Sequence, residues 1–181
     1  MNKYVVLLRG VNVNGSHRVP KVEFQAALED MGFENVCIYL NSGNAVVESD
    51  YPPAEKDVRA ALEACFGFTI RTLVLPAAKF QKIAAAIPSS WVNDPLHHDK
   101  TGQKSDVLFL FDDIDSPDVL HKLGYKPAIE TMRYLKGAVL ANISRKNQAR
   151  GSLKKLPGSK LYGHMTIRNV NTVRKLAELS R

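Results

Sequence analysis

The sequence predicts an α+β protein in which one element order, β-α-β-β-α-β, is run through twice with antiparallel sheets. Three observations predict it. Apolar residues alternate with period two in some stretches and recur at i, i+3, i+4 and i+7 in others, and the two patterns follow one another in that order. Glycine, proline and asparagine fall between the patterned stretches, where turns need them. The chain has 181 residues, 45% hydrophobic and 24% charged, which is enough for two small halves with a core and too apolar for disorder.

The first half is expected to run as follows. Residues 3–8 hold an unbroken apolar run from Tyr4 to Leu8, which fits a strand buried on both faces. The run stops at Arg9, too soon for a signal-peptide core. No apolar stretch approaches the roughly 20 residues of a membrane helix. A polar loop, residues 9–18, leads to Pro20, expected at the first helical position. Phe24, Ala27, Leu28 and Met31 then mark one helical face, with Gly32 as its stop. Residues 35–40 alternate as a second strand, residues 41–44 turn, and residues 45–49 return as a third. Val58, Ala61, Leu62 and Cys65 trace a second helix, and residues 69–75 a fourth strand.

The second half repeats the order without a residue-level repeat. Pro76 opens a connecting helix with Phe80, Ile83, Ala84 and Ile87 on its inner face, and residues 89–104 form a linker around Trp91. A strand is expected at 107–111, a short helix at 118–123 and a hairpin of 128–135 with 138–143 across Lys136-Gly137. A glycine-broken helical stretch at 148–160, a strand at 164–167 and a helix at 171–179 follow. This is the ferredoxin-like arrangement twice over, with extra helices between the copies and at the C-terminus. The expected divisions are 1–75, 76–104 and 105–181.

In this topology the first crossover returns the chain parallel to its start, so the loop after strand one and the turn after strand two leave the sheet at one end. That gathers Arg9, Asn12, Asn14, Ser42 and Asn44 at one rim, where a guanidinium, amides and glycine-exposed N–H groups could hold a ligand. The same residue types also build plain turns, because Asn and Gly tolerate positive φ and bond their own backbone. Gly10 and Gly15 lack the spacing of a dinucleotide fingerprint, and no phosphate-loop lysine follows.

Charge is unevenly spread. Residues 145–181 carry 10 Lys and Arg against the single acid Glu178, while the rest of the chain is slightly acidic within an overall +7. Such a segment attracts phosphates, acidic partners or nucleic acid, although the aromatics that stack bases are sparse in it. Cys37 and Cys65 have no metal spacing and are expected as buried free thiols of a reducing cytosol. His97-His98-Asp99 is the one histidine cluster, too local to make a metal site by itself. No metal site and no cofactor motif is expected. His17 is the one titrating base among the rim motifs, and Ser42 lacks the strand-turn-helix setting of a hydrolase nucleophile.

Leu8-Arg9-Gly10-Val11-Asn12-Val13, Arg18-Val19-Pro20, Asn41-Ser42-Gly43-Asn44 and Thr166-Ile167-Arg168-Asn169-Val170-Asn171-Thr172-Val173 together resemble a bacterial family of unknown function, DUF1697. The resemblance implies a cytosolic α+β protein of two ferredoxin-like subdomains with no agreed activity. Asn14 stands where that family usually has glycine, and Val170 where it often has tryptophan. The resemblance also points to Arg168 and Asn169 at the end of the last strand, with Asn171 expected to cap the last helix. The leading expectation is a small anionic, phosphate- or nucleotide-like ligand at the rim, with Arg168, Asn169 and Asn171 added if the halves meet there. The alternatives are an enzyme at the same rim and nucleic-acid binding through the basic C-terminal segment. No membrane partner is expected, and the sequence specifies no oligomeric state.

Overall fold

The structure is a computed structural model that describes every residue except Asn14, His97, Asp99 and Lys100. It contains two four-stranded antiparallel sheets with helices, each sheet in the ferredoxin-like order. Contacts group the chain into one unit of Met1–Lys82 with Leu176–Arg181 and a second of Ile83–Lys175.

In the first unit, β1 (Asn2–Leu8) is central. It pairs with β3 (Asn44–Ser49) on one side and β4 (Thr72–Pro76) on the other, and β2 (Glu34–Ile38) pairs with β3 at the edge. Tyr4 to Leu8 are all buried, so both faces of β1 are covered. Tyr4, Val6 and Leu8 pack with Phe24 and Leu28 of α1 (Lys21–Asp30) and Val58 and Leu62 of α2 (Glu55–Phe66). Burying each such large side chain is worth about 1.5–3 kcal/mol, so the amphipathic faces hold the helices to the sheet.

Local differences from the sequence reading have physical causes. Pro20 is the residue before α1 rather than its first helical residue, in extended conformation at ψ 144. Leu40 does not continue β2; it has φ 59 and is 52% exposed, because the chain is already turning. Cys37 and Cys65 are both exposed, not buried. Cys37 lies on the open side of the edge strand, and the buried stripe of α2 ends at Leu62, after which Phe66 and Phe68 pack on the core instead.

In the second unit, β5 (Gln103–Leu110) is central, flanked by β7 (Ala138–Ser144) and β8 (Met165–Asn169), with β6 (Glu130–Leu135) beyond β7. α3 (Ala77–Ala85) precedes β5, α4 (Val119–Lys122) is the short crossover helix, and α5 (Val170–Leu179) ends the chain. The broken helical stretch is a chain of 3-10 turns, Arg145–Arg150, Ser152–Lys154, Leu156–Gly158 and Lys160–His164. Gly151, Pro157, Gly158 and Gly163 interrupt it too often for an α-helix to propagate. Leu108, Leu110, Met132, Val139, Leu156 and Met165 form the core of this unit.

Candidate functional site

The register places the two early reversals side by side. Leu7 lies opposite Asn44, the Leu8 N–H donates to the Gly43 carbonyl at 2.8 Å, and the Arg9 N–H donates to the Arg71 carbonyl at 2.9 Å. Gly43 has φ +70, and a Cβ there would stand 2.6 Å from Leu8 Cβ and 2.8 Å from Val11 Cγ2. Only glycine lets the turn lie this close to β1.

Asn12 locks the two loops together. Its amide oxygen accepts from the Val19 N–H at 2.8 Å, and its nitrogen donates to the Val19 carbonyl at 3.0 Å and the Asn41 carbonyl at 2.6 Å. Asn44 is fully buried and donates to the Tyr39 carbonyl and to Ser42 Oγ, both at 2.9 Å. Both asparagines therefore spend their amides on the shape of the rim. Ser42 is exposed, Arg9 is half-buried, and Asn14 lies outside the described residues.

Beside this latch opens a cleft of about 460 Å³, lined by Asn12, Gly15, Arg18, Val19, Pro20, Lys21 and Asn41. Arg18 and Lys21 are its charges. Both are exposed, and among the described residues no hydrogen bond or ion pair holds either one. They flank the start of α1, which has no side-chain cap. Cations at the positive end of a helix dipole are unfavourable by about 0.3–1 kcal/mol each, so the cleft concentrates positive potential at a cost to the helix. Glu23 in the first turn offsets part of that positive potential. Sequence reasoning missed Arg18 and Lys21 as site residues. The available signal was basic residues on either side of a helix-opening proline, against the usual preference for acids there. His17 turns elsewhere: its ring packs on Phe68, centroids 4.8 Å apart, and it is not among the residues lining the cleft.

The last motif lies in the second unit. Arg168 is buried, donating to Thr166 Oγ1 and the Ile167 carbonyl, each at 2.9 Å. Burial lowers its guanidinium to about 10, since desolvation disfavours the charged form. Asn169, not Asn171, caps α5: its Oδ1 accepts from the Thr172 N–H at 3.0 Å. The helix begins one residue earlier than the apolar pattern suggested, which moves the cap with it. Asn171 is exposed and donates to the Asn93 carbonyl at 3.5 Å. Of the histidine cluster, His97 and Asp99 lie outside the described residues. Among the described residues no group of three His, Cys, Asp or Glu side chains could hold a metal, and no helix is long and apolar enough to cross a membrane.

Comparison with known proteins agrees with the architecture. A solved structure, "The structure of conserved bacterial protein SP0830 from Streptococcus pneumoniae", superposes with a TM-score of 0.77 at 24% identity, covering 99% of each chain. That likeness is one of fold. No curated protein matches the chain. The model of the family described as "Protein of unknown function (DUF1697)" matches residues 1–140, which takes in the rim and the cleft and stops short of the Thr166–Val173 motif. The chain belongs to the DUF1697 family.

Proposed function

We propose that the protein binds a small phosphate-bearing ligand in the cleft beside the rim. The observation that carries this reading is the pair Arg18 and Lys21, neither engaged by another described residue, at the uncapped start of α1 in a cleft of about 460 Å³. A phosphate there would meet two cations and the helix N–H groups. Asn12 and Asn44 act as positioning residues that hold the loops around the cleft. Arg168, Asn169 and Asn171 are not needed for this seat.

Calorimetric titration with pyrophosphate and with ADP tests the reading. Saturable binding is expected, weakening as salt screens the two cations, and Arg18→Ala with Lys21→Ala is expected to lower affinity at least tenfold. Undiminished binding by the double variant, or no binding of either probe by the native protein, would reject it.

Nucleic-acid binding is a second reading, favoured by Lys126, Arg150, Lys154 and Lys155 around a separate cleft of about 370 Å³ in the second unit.

A further inference from the structure

The 3-10 turns of residues 145–164 stand where a ferredoxin-like unit packs its second helix. Beneath them, against the face shared by β5, β7 and β6, lies a cavity of about 260 Å³. Its floor consists of two cross-strand rows set by register: Asp106, Ala141 and Met132 in one, Lys104, Ile143 and Glu130 in the next. Gly151 and Leu153 from the turns close over it. A Cβ on Gly151 would stand 2.6 Å from Ile143 Cδ1 and 3.0 Å from Glu130 Oε2, so the roof segment lies hard against this floor.

Two carboxylates are buried here, Asp106 at 8% exposure and Glu130 at 7%. They differ in their partners. Glu130 is satisfied by backbone: the Lys126 N–H donates to Oε1 at 2.9 Å and the Ser152 N–H to Oε2 at 3.0 Å. Among the described residues, Asp106 has only a loose ion pair, with Lys104 Nζ 3.5 Å from Oδ2, beyond the roughly 2.7–2.9 Å of a charge-assisted hydrogen bond. Desolvation outweighs Lys104 and Arg145 and pushes the Asp106 carboxyl above the usual aspartate range. A buried anion with incomplete compensation is costly unless a further cation arrives. On the roof segment, Ser152 Oγ is also buried with no hydrogen-bond partner among the described residues. Ser152 itself does not line the cavity, so the assignment below rests on Asp106.

We propose that this cavity binds a small primary amine with an apolar body, its ammonium held by Asp106. The body packs on Met132, Ile143 and Leu153. The volume, at about 30 Å³ for each water-sized group, suits a molecule of roughly eight non-hydrogen atoms. Lys104 and Lys154 also line the cavity, so its net charge is balanced and an anionic control is needed to separate a seat at Asp106 from one at the lysines. The site is separate from the phosphate cleft and does not depend on it.

Benzylamine is the probe, with benzyl alcohol and benzoate as controls, read by amide chemical shifts of the full-length protein. Benzylamine is expected to shift Met132, Ala141 and Leu153 saturably, and each control to bind at least tenfold more weakly. Asp106→Asn, nearly isosteric, is expected to weaken benzylamine at least tenfold. Ala141→Leu, which fills the floor, is expected to abolish binding while the spectrum elsewhere stays native. The proposal is overturned if benzylamine leaves those resonances unmoved, if benzoate binds as well, or if either variant binds like the native protein. Should Asp106→Asn not fold, Ala141→Leu decides alone.

Discussion

Asn12 shows why the polar pattern of the first loop reads ambiguously. Its position requires one acceptor and two donors at once, which an amide supplies and a carboxylate does not, and φ 56 suits asparagine better than most residues. A ligand contact would need the same chemistry, so the sequence names the residue without naming its job. Asp115 is a parallel case in the second unit. Its carboxylate accepts from Tyr134 Oη at 2.9 Å and from the Gly137 N–H at 2.8 Å, and pairs with Lys136 Nζ at 2.9 Å. Desolvation opposes the charge, but the hydrogen bonds from Lys136, Gly137 and Tyr134 prevail and hold the carboxyl below its ordinary 3.8. A lowered folded-state pKa means stability that is present above the unfolded value and lost as pH falls through the folded one. Asp115→Asn is therefore expected to cost about 1–2 kcal/mol near neutral pH. In urea denaturation that difference from the native protein should shrink as pH drops below the ordinary aspartate value; a difference that grows on acidification would contradict the assignment. Asp115 thus ties the segment before α4 to the hairpin of β6 and β7.

Elements were recovered in order but not always in extent. β5 begins at Gln103 rather than 107 because Lys104, Ser105 and Asp106 continue its ladder with β7. Polar residues inside a strand break the apolar signal, and two of these, Lys104 and Asp106, line the cavity beneath the 3-10 turns. The stretch after β7 carried enough glycine to predict a break but not the 3-10 turns or the space beneath them, because helix period and turn chemistry compete there residue by residue. The latch between β1 and the turn before β3 makes a sharper expectation. Gly43→Ala places a methyl 2.6 Å from Leu8 Cβ in a φ +70 backbone, and overpacking plus strain is expected to cost about 2–4 kcal/mol. Gly10→Ala, also at positive φ but with nothing within 4 Å, is expected to cost about 1 kcal/mol. Comparing the two midpoints in denaturant separates contact from backbone strain; equal losses would mean the close approach is unimportant.

At the scale of the molecule, the charge asymmetry is real in composition but divided in use. Arg168 is buried, Arg145 bonds the Asp94 carbonyl and Gln148, and Arg174 bonds the Trp91 and Pro88 carbonyls at 2.8 and 2.9 Å. Arg150, Lys154 and Lys155 remain around one cleft, beside Lys126, whose ammonium donates to the Arg150 carbonyl at 2.7 Å. If that cleft holds a polyanion, Lys154→Glu with Lys155→Glu should flatten the salt slope of single-stranded DNA binding by about 1.4 while pyrophosphate binding is kept; a steep native slope left unchanged by the pair would place any such contact elsewhere. The sequence by itself determined the fold class, the doubled element order and the common end at which the two early loops emerge. Periodicity and turn chemistry are local properties, and ferredoxin-like routing follows from their order. Tertiary structure alone decided which polar side chains are left over. Asn12, Asn44, Asn169 and Arg168 are absorbed by backbone groups and neighbours brought to them by folding; among the described residues Arg18 and Lys21 are not, and Asp106 has only its ion pair with Lys104. Hydrogen-bond satisfaction depends on what lies across space, which spacing along the chain does not encode.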